Sequence, residues 1–170
     1  MRLAFTAAAL LFLGCQPQPE TPRATGDAPK DAVLHDARLS TWRKNTPVIS
    51  ARAKTVTWYR QDGRFVAGAV DAELPSKDGA VQVTAPQVEG ALAGDAVDAR
   101  GGVVVRSARG VATGPSAHVE NSAEGAIITS QEGVRFEGKG QKLTARTFRF
   151  ETREQRASFE AVETSSEVAQ

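Results

Sequence analysis

The sequence predicts an all-β fold, and three observations carry that prediction. Short apolar or β-branched runs, such as Val48-Ile49, Val81 with Val83, and Val103-Val104-Val105, are separated by polar turns rich in Gly, Asn and Asp. A small hydroxyl residue followed by Ala and then Arg or Pro recurs at Ser50-Ala51-Arg52, Thr84-Ala85-Pro86, Ser107-Ala108-Arg109 and Thr144-Ala145-Arg146. After each copy the next apolar residue arrives out of step. Successive strand side chains point to opposite faces, so Val81, Val83 and Ala85 share a face, yet Val88 follows at the wrong parity. The same slip separates Ala108 from Val111 and Ala145 from Phe148, and sets Ala51 and Ala53 against Val56 and Trp58. A one-residue slip turns a strand inside out, so a recurring slip predicts a bulge or corner in each unit. The expected structure is a repeating, strongly bent antiparallel sheet.

The N-terminal 15 residues have the form of an export signal. Arg2 gives the positive start, Leu3 to Leu13 is apolar apart from Thr6, and Gly14-Cys15 ends the stretch. It is shorter than the roughly 20 apolar residues that cross a bilayer. Leu11-Phe12-Leu13-Gly14-Cys15 resembles a bacterial lipobox, with Leu13 bulkier than usual before the small residue. It implies diacylation of Cys15 and stable membrane anchoring; the alternative is a cleaved signal with an incidental Cys. Gln16 stands where an Asp would retain a lipoprotein at the inner membrane of enteric bacteria, which leaves either membrane open. Residues 16–30 hold four prolines and almost no bulky apolar side chain, and form the expected tether. The folded domain is expected over 31–163, with a polar tail at 164–170.

Within that domain, Val33 to Trp42 fits a strand or a short amphipathic helix, and we take it as a strand. Pro47 to Arg60 is a long strand rich in β-branched and aromatic residues. Gln61-Asp62-Gly63-Arg64 turns the chain, and Phe65 to Leu74 returns with Val66, Gly68, Val70, Ala72 and Leu74 on one parity. Pro75 to Gly79 is the next turn. Val81 to Val88, Val103 to Val105, Gly110 to Thr113, Ser116 to Glu120, Gly125 to Ser130 and Gly133 to Glu137 follow as short strands. Lys142 to Glu151 is the last strong strand, and Thr152 onward is a weak terminal one around Phe159 and Val162. Many short strands at regular spacing suit a sandwich, barrel or jelly roll.

The chemistry-bearing residues argue for a binder or scaffold rather than an enzyme. Formal net charge is +1, so no large field points to nucleic acid. A single Cys excludes an intrachain disulfide and a cysteine-based metal site. No cofactor is implied. His35 and His118 stand far apart, and His118 is expected on a strand face opposite Ala117 and Val119. Asp95 with Asp98, or Glu120 with Glu124, have acid–base spacing, but carboxylates in turns are more often merely solvated. Gly101-Gly102 lacks the Lys and helix of a phosphate loop, and no Ser sits in a nucleophile elbow.

A lipobox and tether before bent strands built on Ser/Thr-Ala and Gly turns resembles the OstA/LptC-type family of lipopolysaccharide export. The resemblance runs from about Leu39 to Glu151. It is carried by Val103 to Gly110, Ile127-Ile128-Thr129-Ser130, Gly133 to Gly138 and Leu143 to Arg146, with Val48 to Leu74 as opening strands. It rests on a degenerate pattern with no invariant residue. It implies an open, twisted antiparallel β-jelly roll whose apolar groove holds lipopolysaccharide acyl chains. It further implies a periplasmic location and partners in an inner-membrane ABC transporter and an LptA-like bridge joined by edge-strand pairing. The lining residues would be Val56, Trp58, Val66, Val81, Val83, Val105, Ile127, Val134, Phe136, Leu143, Phe148 and Phe150. The family's inner-membrane member ordinarily has an uncleaved transmembrane helix, where this sequence has a lipobox. The alternatives are a soluble bridge, to which the lipobox is foreign, and a structural outer-membrane lipoprotein with a closed β-sandwich and no lipid cargo. A secreted hydrolase is a further, disfavoured one.

Overall fold

The computed structural model describes residues 32–165 except 44, 123 and 124. The signal, Cys15 and the tether lie outside the described residues. Ten strands run in chain order: β1 (Ala32–Arg43), β2 (Thr46–Tyr59), β3 (Arg64–Leu74), β4 (Val81–Ala91), β5 (Ala96–Ser107), β6 (Gly110–Ser122), β7 (Gly125–Ser130), β8 (Val134–Gly138), β9 (Gln141–Glu151) and β10 (Arg156–Ser165). The segment left open between strand and helix is β1, and no described helix is long and apolar enough to cross a membrane.

The strands form one antiparallel sheet in the order β1-β2-β3-β4-β5-β6-β7-β9-β10. Strands β7 and β8 share one lane, each pairing with β6 on one side and β9 on the other. The all-β expectation of an open, twisted antiparallel jelly roll is met. Apart from the β7–β8 step within one lane, every connection joins antiparallel neighbours, so the roll is a wound meander. Two adjacent runs expected as separate strands, Gly110–Thr113 and Ser116–Glu120, are the single strand β6. The expected weak terminal strand is β10, which packs Ala157 and Phe159 on the core.

A crease crosses the sheet and bends every lane. Pairs His35↔Thr55 and Ala37↔Ala53 step over Asp36 and Lys54. Pairs Thr55↔Gly68 and Ala53↔Val70 step over Ala69, and the next lane steps over Pro86. Gly101 and Gly102 then lie between the paired positions of β5, facing Pro115 on β6. Beyond the break between β7 and β8 at Gly133, the line ends at Arg146 and Ala161. Asp36, Ala69, Gly101, Gly102, Gly133 and Ala161 all have positive φ, the conformation that kinks a strand and resets its parity. Pro86 has no N–H to offer the ladder, and a Cβ on Gly101 would come within 3.2 Å of its ring.

The crease explains the slips. Ala53 with Val56, Ala67 with Val70, and Ala145 with Phe148 are three apart and all buried, because a kinked residue lies between them. One slip has another cause: Ala108-Arg109 is the β5–β6 hairpin turn, with the Ser107 Oγ accepting from Arg109 N–H at 3.2 Å. The four copies of the hydroxyl-Ala phrase are therefore not structural equivalents. The parity expected for β3 also changes at Ala69, so Ala67, and not Val66, faces inward with Val70.

The crease divides the sheet into two arms, which fold toward each other. Turns at 60–63, 92–95 and 152–155 tip one arm; turns at 75–80, 108–109 and 139–140 tip the other. Wholly buried Gln155, from the first, donates to the Ser76 Oγ of the second at 2.8 Å. Large aromatics fill the space between the arms around β8–β10. Phe136 and Phe148 each lie 5.3 Å from Phe159, and Phe148 stacks on Phe150 at 6.1 Å. Each such pair adds about 0.5–1.5 kcal/mol beyond its area burial.

Candidate apolar trough

At the β1–β5 side the inward positions are mostly small, and the arms stay apart. One register row reads Leu39, Ala51, Ala72, Val83, Val105 and Ala112 before it reaches Phe136 and Leu143. On the other arm a row reads Val56, Ala67, Val88, Ala99 and Ala117 before Ser130, Phe148 and Phe159. Each row changes from alanine and valine to phenylalanine as it crosses the sheet. The result is a cavity of about 440 Å³ walled by Leu39, Ile49, Ala51, Phe65, Ala67, Val70, Ala72, Leu74, Val83, Ala85, Val88, Val97, Ala99 and Val119. This volume is in the range of small-ligand sites, and the few polar groups sit at the rim (Ser40, Thr41, Asp95 and Asn121). Trp42 and Leu92, 63% and 60% exposed, flank the opening. Exposed large apolar side chains beside an apolar cavity are the unusual feature of this surface.

The residues expected to line a groove fall into three groups. Val83 lines the trough. Val56 is buried in the small cluster with Ala53, Ala67 and Val70, and Trp58 shares the inward register of Phe65 without lining the cavity. Val81, Val105, Val134, Phe148 and Phe150 belong to the filled core, with Phe136 and Leu143 packed against it. Val66 and Ile127 are corrections: both lie on the outer face. Val66 pairs with Thr57 and Glu89, in the row that continues to Asp98 and His118. Ile127 pairs with Glu120 and Glu151, while its neighbour Ile128 is fully buried. An Ile-Ile run satisfies either parity, and the positive φ of Ala69 reverses the parity of β3. Phe65, Ala67, Val70, Ala72 and Val88 were absent from the expected lining. The density of alanine in β2–β5 was the available signal for them.

The outer face carries the ionisable groups. His118 is exposed opposite Ala117 and Val119, and its Nδ1 lies 2.8 Å from Asp98 Oδ1 on the neighbouring strand. Asp95 is at the trough rim, on the other side of the sheet from this pair. Glu124 lies outside the described residues. The Arg64 guanidinium bonds Glu89 at 2.8 Å and lies over Tyr59 at 4.5 Å, and the Glu89 bond raises its pKa. Glu151 accepts from Arg156 at 2.7 Å and Arg149 at 3.4 Å; the Arg156 bond first, then the Arg149 bond, hold its carboxyl below the usual range. Among the described residues no three His, Asp, Glu or Cys side chains gather as a metal site. No protein-family model and no curated protein matches this chain.

Proposed function

We propose that this chain is an LptC-like, lipid-anchored periplasmic carrier that holds the acyl chains of lipopolysaccharide in the trough between its arms. It would pass them from an inner-membrane ABC transporter to a like-folded bridge protein. The observation that supports this reading is the open apolar cavity of about 440 Å³ beside a core that phenylalanines fill. Apolar burial contributes about 0.8 kcal/mol per methylene, so a trough that admits several methylenes supplies useful affinity without a polar contact. Among the described residues strands β1 and β10 each pair on one side only, which leaves backbone donors and acceptors at both rims of the described sheet. Unpaired edges template another sheet, the physical basis of the bridge contact. Acylated Cys15 would tether the domain to a membrane through the Pro-rich segment.

Photo-crosslinking in cells tests the reading. A photoreactive residue at Ala72, Val83 or Val88 is expected to capture lipopolysaccharide, whereas one at outward Val66 is not. Capture from neither set would favour a structural lipoprotein whose cavity holds no cargo. Recovery of an ABC transporter with the full-length, membrane-bound protein would test the assigned partner.

A further inference from the structure

On the outer face, at the tip where the arms meet, a second concavity of about 380 Å³ has the opposite chemistry. Among the described residues it is lined by Lys77, Arg149, Arg153 and Arg156 with Glu151 and Glu154, four cations against two carboxylates, on a chain whose formal net charge is +1. Glu151 is committed to Arg149 and Arg156, which it holds at the wall. Among the described residues no carboxylate lies within ion-pairing distance of Lys77 or Arg153.

The two come from turns far apart in sequence that the fold pins together. Gln155 donates to the hydroxyl of Ser76, the residue before Lys77. Thr152, before Arg153, is buried and tied to Ala126 by its backbone N–H and its Oγ1, both at 3.0 Å. Like charges repel, so bringing these turns together costs free energy that an anion between them would offset.

We propose that this pocket binds a phosphate-class anion, held chiefly by Lys77 and Arg153 with the Arg149 and Arg156 guanidiniums on the wall. Arginine offers the paired N–H geometry that phosphate oxygens accept, and lysine adds a point charge. The pinned turns supply this arrangement before the ligand arrives, which lowers the ordering cost of binding. The site is on the face opposite the trough lining and does not depend on it. The anion is free phosphate or the phosphate of a lipid headgroup; Asn121 rims the trough and Ser122, the next residue, lines this pocket.

Calorimetric titration of the full chain with inorganic phosphate is the first test. Saturable binding is expected, weakened about a hundredfold or more in Lys77→Ala/Arg153→Ala, since each charge-assisted hydrogen bond contributes about tenfold and upward. The charge-matched Arg38→Ala/Arg52→Ala, on exposed positions elsewhere, should bind as the parent does. Neither variant should lower the parent thermal midpoint, since each removes a like-charge pair. A short-chain phosphatidate and its dephosphorylated diacylglycerol separate the sources. Tighter binding of the phosphatidate than of either phosphate or diacylglycerol assigns a headgroup, and no gain over phosphate assigns the free ion. No saturable phosphate binding, or an equal loss in both double variants, would overturn the proposal. A fluorescent fatty acid read alongside reports on the trough alone, so failure of either site is seen separately.

Discussion

Ala72 and Ala112 occupy one register row of the same arm, yet a phenylalanine should be tolerated at the first and rejected at the second. The row runs Ala72, Val83, Val105, Ala112 across adjacent strands. Ala72 lines the cavity of about 440 Å³; Ala112 is 4% exposed in the filled core. Overpacking a close-packed core costs about 1–3 kcal/mol, so Ala112→Phe should lose that much in urea denaturation. Ala72→Phe places its ring in existing space and should lose well under about 1 kcal/mol, or gain from the added apolar burial. Its effect on a bound chain is the reverse. If the ring displaces about four methylenes at about 0.8 kcal/mol each, binding weakens by about 3 kcal/mol, or roughly 200-fold. Displacement of a fluorescent fatty acid reads the second quantity. Equal destabilisation by the two variants would mean that the arms close over Ala72, and unchanged fatty-acid binding by a folded Ala72→Phe would remove the trough as the site.

Three further outcomes follow from the same geometry. Phe148→Ala removes a ring 4% exposed and in contact with Phe150 and Phe159, and should cost about 3–5 kcal/mol by denaturant titration. Ala69→Gly should raise stability by up to about 1 kcal/mol, because an alanine at φ 50° is strained where glycine is not. The same change at extended, 1% exposed Ala67 should lower it, and a loss at both would place no strain at the crease. Glu151 has its folded pKa lowered, so its ion pairs stabilise above the unfolded value of about 4.3 and are lost as pH falls through the lowered one. The stability difference between the parent and Glu151→Gln should therefore be present at pH 7 and vanish in strong acid; a difference that grows on acidification would reverse the assignment.

Strand existence was legible in the sequence because turn residues and β-branched runs act locally. Asp62-Gly63 turns the chain whatever lies across the sheet, and β2, β3, β7 and β9 fall within a residue or two of the boundaries expected for them. The hydrophobic slips likewise announced a bend, since parity is a property of consecutive residues. Their alignment into one crease was not legible. It depends on which residue of β3 pairs with which of β4, and Ala69 carries no local mark of its left-handed backbone.

Parity, composition and turn chemistry are written along the chain, and they determined by themselves that this protein is a bent antiparallel sheet with an apolar inner face. Which inward residues touch a cavity and which touch one another was decided only when the arms folded together. Val83 and Phe148 are both buried and inward, and nothing in their neighbours along the chain distinguishes them. Phe148 meets Phe159 across the fold, whereas Val83 faces a wall of alanines too short to reach it. The basic pocket arose in the same way, from Lys77 and Arg153, which the Ser76–Gln155 bond brings to one place across some seventy-odd residues of chain. Burial is set by parity, but empty space is set by the size of the side chains opposite, and these are chosen by tertiary register.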